Sequence, residues 1–600
     1  MQEKGYSDFE QLHSWSVENT EAFWEETIRL LGINLKKTYS RLLDLEDGIA
    51  NPRWMVGAEM NIVDSCFRAP SDSAAIVTRR HDGRMESVTI DELDRLSNRV
   101  ANGFVALGFG KGFSVGVDMA LTVEAIAVFL GIIKAGGRAI AIPDSLPAEE
   151  IARRLRIGNA NICVTQDVIW RNSKWLPLYE KVCDAHAPIT IVLTMLDSTQ
   201  LTLRDGDVLW NSFIKNADTF ASVACCAEDD ITVLFSSGTT GDPKAIPWNH
   251  TTPIKCASDA MYHHDVSRGD VLCWPTSMGW MMGPWLVFAS LINRATIAIY
   301  EGGPIERSFC EFVERAQVTM LGVVPSIVKG WRTTKHSEGF DWKRIRAFSS
   351  SGEASSAEDS SWLMCANQPA GVMKPIVEYC GGTEIGGGYL TNNLVTSQRP
   401  GEFNGKTMGI DFVVLNDRNE PCHENEAGEV FLVAPSMGLS TRILNSDNSQ
   451  VYYANCPKWH EEPLRRHGDR IIVRGKNRWQ SDGRADNTMN LGGIKIGSAE
   501  IERVVSQIEG LLECAAVGVP PIGGGPDRLV LYVGIERAVD NSALKSAAQN
   551  RIRDSLNPLF RVHDLVIVES LPRTASNKVL HRELREDYRR RESEPCSLPV

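Results

Sequence analysis

The stretch Ile231–Lys244 constrains this chain more than any other. Ile231 to Phe235 is a short β-branched and apolar run, which predicts a buried strand. The chain then breaks into Ser236-Ser237-Gly238-Thr239-Thr240-Gly241-Asp242-Pro243-Lys244. Such a loop can offer backbone N–H groups, hydroxyls and one ammonium to a polyanion, because glycine lets the backbone wrap closely around it. An ordinary polar turn after a strand has a similar composition. A Walker loop is excluded, since no Gly-Lys-Ser/Thr follows and no helix-forming run opens at the lysine.

The flanking sequence supplies the sheet. Ala75–Val77, Ser114–Met119 and Ala139–Ile142 predict strands, whereas Thr89–Leu107, Thr122–Lys134 and Pro147–Leu155 predict helices. Strands alternating with helices argue for a largely parallel α/β sheet. The 600 residues exceed what one core organises, so at least two domains are expected. Residues up to about 60, with helical spacing over Glu21–Leu31, predict a helical cap on the main body. Further on, Ile501–Leu512 and Asn541–Ser555 predict helices, and Cys514–Val519 and Leu529–Ile535 strands.

A net charge of −13 argues against non-specific nucleic-acid binding, so a polyanionic ligand must be met by local donors. The 14 cysteines include no Cys-x-x-Cys pair, and no His cluster has metal spacing, which points to free thiols in a reducing compartment. Met1–Ser16 is too polar for a signal peptide, and Ala125–Ile133 is too short to span a bilayer. The terminal Ser-Leu-Pro-Val is not the Ser-Lys-Leu peroxisomal address. A cytoplasmic protein without stable membrane insertion is expected.

Other stretches could carry chemistry. Cys273–Gly283 is rich in Trp and Met and suits either core or a pocket wall. Ser349-Ser350-Ser351-Gly352-Glu353 follows a strand-like run, and Glu378-Tyr379-Cys380-Gly381-Gly382-Thr383-Glu384 brings a hydroxyl beside a carboxylate. His467-Gly468-Asp469, the string Gly483–Glu502 and Leu571–Leu580 complete the set. Taken singly, most suit turns, solvated loops or core. In this order, with the Ser-Ser-Gly-Thr-Thr-Gly-x-Pro-Lys string, they resemble the adenylate-forming (AMP-binding) superfamily over roughly residues 10 to 585. The nearest likeness is to acetyl-CoA-synthetase-like acyl-CoA synthetases of the plant acyl-activating type.

The resemblance implies an α/β fold. A large N-terminal adenylate-forming domain of mixed and parallel sheets with helices would be joined by a hinge to a small α+β C-terminal domain. The implied bounds are 1–72 for a helical cap region, 73–485 for the large domain and 486–600 for the small one. It assigns Ser236, Ser237, Gly238, Thr239, Thr240, Gly241 and Lys244 to the ATP phosphates. Gly352 and Glu353 would meet the adenine edge, with Ala354 where proline is usual. Tyr379 and Cys380 would lie near the adenine, Cys380 standing where most members carry an aromatic. Asp469 and Arg484 would hold the ribose, Asp486 would be the hinge, and Lys495 would face the phosphate in place of the usual arginine.

Thr383 would serve the α-phosphate, Glu384 a Mg²⁺ ion, and Lys578 the adenylation step, in a loop where Asn577 replaces the usual glycine. Trp280, Met281 and Met282 would line the acyl pocket. Gly381 stands where acetate-specific relatives carry a tryptophan that closes that pocket. Loss of an indole would admit several methylenes, each worth about 0.8 kcal/mol when buried, so an acid longer than acetate is expected.

The implied activity is that of an AMP-forming carboxylic acid:CoA ligase using ATP, Mg²⁺ and coenzyme A, acting as a monomer or homodimer. A swing of the C-terminal domain about Asp486 would separate adenylation from thioester formation. Rival readings are a peptide-synthetase-type adenylation enzyme, disfavoured because little chain follows Lys578, and a luciferase-like oxygenase. A catalytically inactive nucleotide-binding regulator is the reading that Cys380, Lys495 and Asn577 would favour.

Overall fold

The computed structural model describes residues 5–171, 173–195, 201–236, 242–485, 487–521, 523–535, 540–573 and 579–593. The expected alternation builds two large sheets. The first has seven strands, in the order Val208–Leu209, Thr190–Leu193, Ile162–Gln166, Ser114–Asp118, Arg138–Ile142, Asp230–Ser236 and Lys244–Asn249. All neighbours are parallel except the last pair. The hydroxyl-rich segment therefore joins two antiparallel strands, Ser236 pairing with Lys244. The lysine opens a strand, as the lack of a helix-forming run there requires.

The second sheet has nine strands, six of them parallel at its centre from Ala74–Arg79 to Ile376–Gly382, with antiparallel strands at both edges. The helices Val123–Lys134 and Met282–Ile292 bury nearly all their residues and share one core with side chains of both sheets. An apolar helix without a polar face is stable only when enclosed in this way. Thr122 caps the first of them by accepting from the Ala125 N–H at 3.2 Å. Lys134 ends it buried, donating to Asn98 at 2.6 Å.

The N-terminal cap is two helices, Phe9–Glu18 and Thr20–Leu31. His13 meets the Ile410 carbonyl at 3.0 Å, and Ser16 accepts from the Gly409 N–H at 3.0 Å, which fixes the first helix to the main body. A four-stranded antiparallel sheet, Asp411–Leu415, Ala427–Val433, Arg465–Gly475 and Arg478–Arg484, forms a further layer and pairs Asp469 with Arg484.

The C-terminal portion begins with the hairpin Thr488–Leu491/Ile494–Gly497. Helices then pack on a three-stranded sheet of Leu511–Val519, Arg528–Ile535 and Val562–Ile567. The helix expected over 501–512 spans only Ser498–Val505, and Leu511 and Leu512 already belong to a strand. Gly510, at φ +87°, takes a left-handed backbone between the two that residues with a Cβ rarely adopt. Among the described residues no helix is long and apolar enough to cross a membrane.

Candidate active site

A cleft of about 1000 Å³ lies where the carboxyl ends of the second sheet's parallel strands meet the four-stranded sheet and the C-terminal hairpin. That is where open α/β sheets hold their ligands. Ser236, Gly352, Glu353, Tyr379, Cys380, Thr383, Glu384, Asp469, Arg484 and Lys495 border it on the expected nucleotide side, and Trp280, Met281, Met282 and Gly381 on the expected acyl side. Lys244 does not border it; its ammonium lies 5.2 Å over the Tyr452 ring, close enough to act electrostatically on Glu384. Ser237, Gly238, Thr239, Thr240, Gly241, Asp486 and Lys578 lie outside the described residues. Among the described residues, the buried Ser236 hydroxyl at the cleft's border has no hydrogen-bond partner.

Thr383 and Glu384 occupy the turn between the strands Ile376–Gly382 and Gly387–Thr391. Trp248 Nε1 donates to the Thr383 carbonyl at 2.8 Å. Behind the turn, Lys255 and Asp259 form a fully buried ion pair at 2.6 Å. Asp259 also accepts from the Tyr379 hydroxyl at 2.6 Å and the Gly388 N–H at 2.9 Å. Burial pushes the Asp259 carboxyl up, and Lys255 works against that. Removing either partner would strand a charge in the core. This network uses up Tyr379: its ring, 2% exposed, packs between Trp285 and His264 and offers no face for adenine stacking. Strand alternation turns Cys380 the other way, toward Tyr389 and Asp469 at 3.5 Å each.

Two of the buried carboxylates that line the cleft, Glu384 and Asp469, are held low by neighbouring cations. Burial alone would raise Glu384, but the His467 ring and the charges of Lys244 and Lys495 hold it well below the usual carboxylate range. Asp469 is likewise held low against its burial, by Lys495, His467 and Arg484. Arg484 lies 2.7 Å and Lys495 3.9 Å from Asp469. His467, which burial would deprotonate, is pushed the other way by Asp469 and Glu384. The site thus presents two anions among cations and one threonine hydroxyl. Among the described residues no cluster of three or more metal-ligating side chains occurs. A single buried carboxylate suits Mg²⁺, which keeps waters and phosphate oxygens in its shell.

Gly352 takes φ +91°, and its carbonyl accepts from Asn490 of the C-terminal hairpin. Gly525 N–H donates to the Ala354 carbonyl at 2.9 Å. Glu353 turns its carboxylate onto the Ser326 N–H and hydroxyl, each at 2.9 Å. Beneath this loop lies Glu378, which the sequence reading passed over. It accepts from Ser355 at 2.7 Å and Ser360 at 3.1 Å, and burial pushes its carboxyl up to about 6. Its place two residues after the start of a parallel strand next to Ser350 was a usable signal, as was the strand position His467 shares with Asp469.

The acyl side departs from expectation. Met281 and Met282 pack on the main core, while Trp280 packs on the apolar cluster of the C-terminal portion. At Gly381 the two strands pair with a bulge, and a Cβ would overlap the Gly387 carbonyl oxygen and stand 2.8 Å from the Gly388 Cα. The missing side chain is therefore filled by neighbouring backbone. The space expected from its absence does not open there.

A parallel α/β body with a nucleotide-sized cleft, polar on one side and apolar on the other, bordered by a small α+β portion, defines an adenylate-forming type of enzyme. The AMP-binding enzyme family model matches residues 63–439, the acetyl-coenzyme A synthetase N-terminus model 9–66, and the AMP-binding enzyme C-terminal domain model 500–578. The chain belongs to the AMP-binding enzyme family. It is 40% identical to the probable acyl-activating enzyme 17, peroxisomal, of Arabidopsis thaliana, over 97% of this chain and 83% of that protein. It is 39% identical to hexanoyl-CoA synthase of Cannabis sativa, over 97% and 84%. The fold is that of the acetoacetyl-CoA synthetase from Streptomyces lividans, with a TM-score of 0.75 at 22% identity over 97% of this chain and 90% of that one.

Proposed function

We propose that this chain is an ATP-dependent carboxylic acid:CoA ligase, AMP-forming, acting on an acid larger than acetate. The observation that carries the reading is the convergence of the Thr383–Glu384 turn, Asp469, Arg484 and Lys495 on one cleft. The size preference rests on the hexanoyl-CoA synthase relative and the methionine-lined wall, no longer on Gly381.

In the first step a carboxylate oxygen attacks the α-phosphorus and pyrophosphate leaves. Asp469 accepts from the ribose hydroxyls, Thr383 donates to the α-phosphate, and the Ser236–Lys244 loop holds the leaving phosphates. Glu384 would hold Mg²⁺, which supplies neutralising charge when bound. Lys578 bridges the two reacting anions. In the second step a thiol sulfur, that of CoA, attacks the acyl carbon and AMP leaves.

Among the described C-terminal residues, those that border the cleft belong to the Asn490–Lys495 hairpin and the Pro520–Asp527 segment, together with Leu559. Arg573 and Val579, which flank the Lys578 loop, do not border it, and Arg573 instead pairs with Glu513 at 2.7 Å. The arrangement is therefore the one we assign to thioester formation, with the 1–72, 73–485 and 486–600 division and the Asp486 hinge as part of the proposal. The cytoplasm stays the proposed compartment on sequence grounds alone, although the Arabidopsis relative is named peroxisomal. A panel of carboxylic acids of increasing length, assayed for AMP release with and without CoA, tests the function. Acid-dependent AMP release with thioester formation is expected, and no acid-dependent ATP consumption would overturn it.

A further inference from the structure

The four-stranded sheet carries a residue whose position ties the two ends of the nucleotide site together. Arg465, His467 and Asp469 lie on one strand and are all buried; Gly468, at φ +87°, and a register shift in this stretch interrupt the regular alternation and let His467 and Asp469 meet. The His467 side chain has no solvent exposure; Nδ1 lies 3.3 Å from Glu384 Oε1 and Nε2 3.0 Å from Asp469 Oδ2. Neither contact is aligned as a directed hydrogen bond, so the position of the ring between the two carboxylates carries the link. The Tyr389 ring meets the imidazole edge-on at a centroid distance of 4.8 Å, and its hydroxyl donates to the same Asp469 oxygen at 2.9 Å.

Arg484 and Lys495 reach Asp469 from other elements, and Lys495 belongs to the C-terminal hairpin. His467 touches both carboxylates and is fixed in the large body. We propose that His467 is a positioning residue that spaces Glu384, on the phosphate side, from Asp469, on the ribose side, so that nucleotide and metal are gripped as one unit. This rests on the reading that the cleft takes ATP.

The test compares the full-length parent with His467→Asn and His467→Gln. Calorimetry with AMP in EDTA reads nucleotide binding without the metal; ATP binding against rising Mg²⁺ reads the metal-dependent phosphate side; the thermal midpoint reads the fold. A folded variant should lose AMP affinity about tenfold and should need several-fold more Mg²⁺ for half-maximal ATP binding. Folded variants that match the parent within about twofold in both titrations overturn the proposal. So does failure of both variants to fold, which would make His467 a structural residue. A parent that binds no AMP sinks the ligase reading first and this inference with it, whereas a binding parent with unchanged variants sinks this inference alone.

Discussion

The proposed nucleotide side and the proposed acyl side of the cleft are built on different principles. On the nucleotide side, Glu384, His467, Asp469 and Arg484 are polar groups in mutual contact, and their positions follow from strand register and a tight turn. On the acyl side, Trp280, Met281 and Met282 are held by apolar packing on two separate cores, and Gly381 is backed by another strand's carbonyl. Polar recognition demands particular residue types in a particular order, so it is written as motifs. An apolar pocket needs only volume, which many sequences supply and which neighbouring backbone can take back.

Four variants would break or sharpen that contrast. The largest effect is expected for Lys578→Ala on the polar side. Acyl-adenylate formation, read by pyrophosphate exchange, should fall about a thousandfold or more, while thioester formation from supplied adenylate stays nearly intact. Equal loss of both half-reactions would remove the division of labour between the two steps.

Next comes Gly381→Ala on the acyl side. The added methyl must push the Gly387 carbonyl aside, so it should cost up to about 3 kcal/mol in denaturant unfolding. An unchanged midpoint with a shorter preferred acid would restore the pocket role that the sequence suggested.

Glu378→Gln should stabilise the protein at pH 7 by about 2 kcal/mol. Its carboxyl sits near 6 in the folded state against an ordinary 4.5, so the unfolded chain releases its proton first. Parent stability from this group therefore falls as pH rises from about 4.5 to 6, and the advantage of the variant should vanish below that window. A gain independent of pH would assign the effect to something other than the buried charge.

The smallest effect is expected for Met281→Ala. Enlarging the wall should shift the preference in kcat/KM toward longer acids by about 0.8 kcal/mol for each methylene admitted, roughly fourfold. A chain-length profile identical to the parent's would mean that Met281 faces the core and leaves the tail untouched.

Much of the fold was legible in the chain. The helix cap at Thr122, the strand before Ser236 and the charge at Lys134 all fall where local pattern puts them, because each is set by neighbours a few residues away. The boundary at Val505 was missed although Gly510 was there to mark it, since the apolar spacing over 501–512 suits a helix and a helix followed by a strand equally. The order of motifs alone singled out Asp469, Thr383 and Glu384, and the structure places all three at the cleft.

What the sequence by itself determined is the family: a hydroxyl-rich loop after a buried strand, a Thr-Glu turn and a Gly-Asp strand are ordinary features singly, and only their order along the chain resembles the AMP-binding enzymes. Tertiary structure alone decided which of those side chains are available. Tyr379 goes to a buried Lys255–Asp259 pair, Gly381 to the backbone of the next strand, and His467 to a gap between two carboxylates that lie more than 80 residues apart in the chain. Proximity of that kind comes from sheet order and long-range register, and no local pattern of residues encodes it.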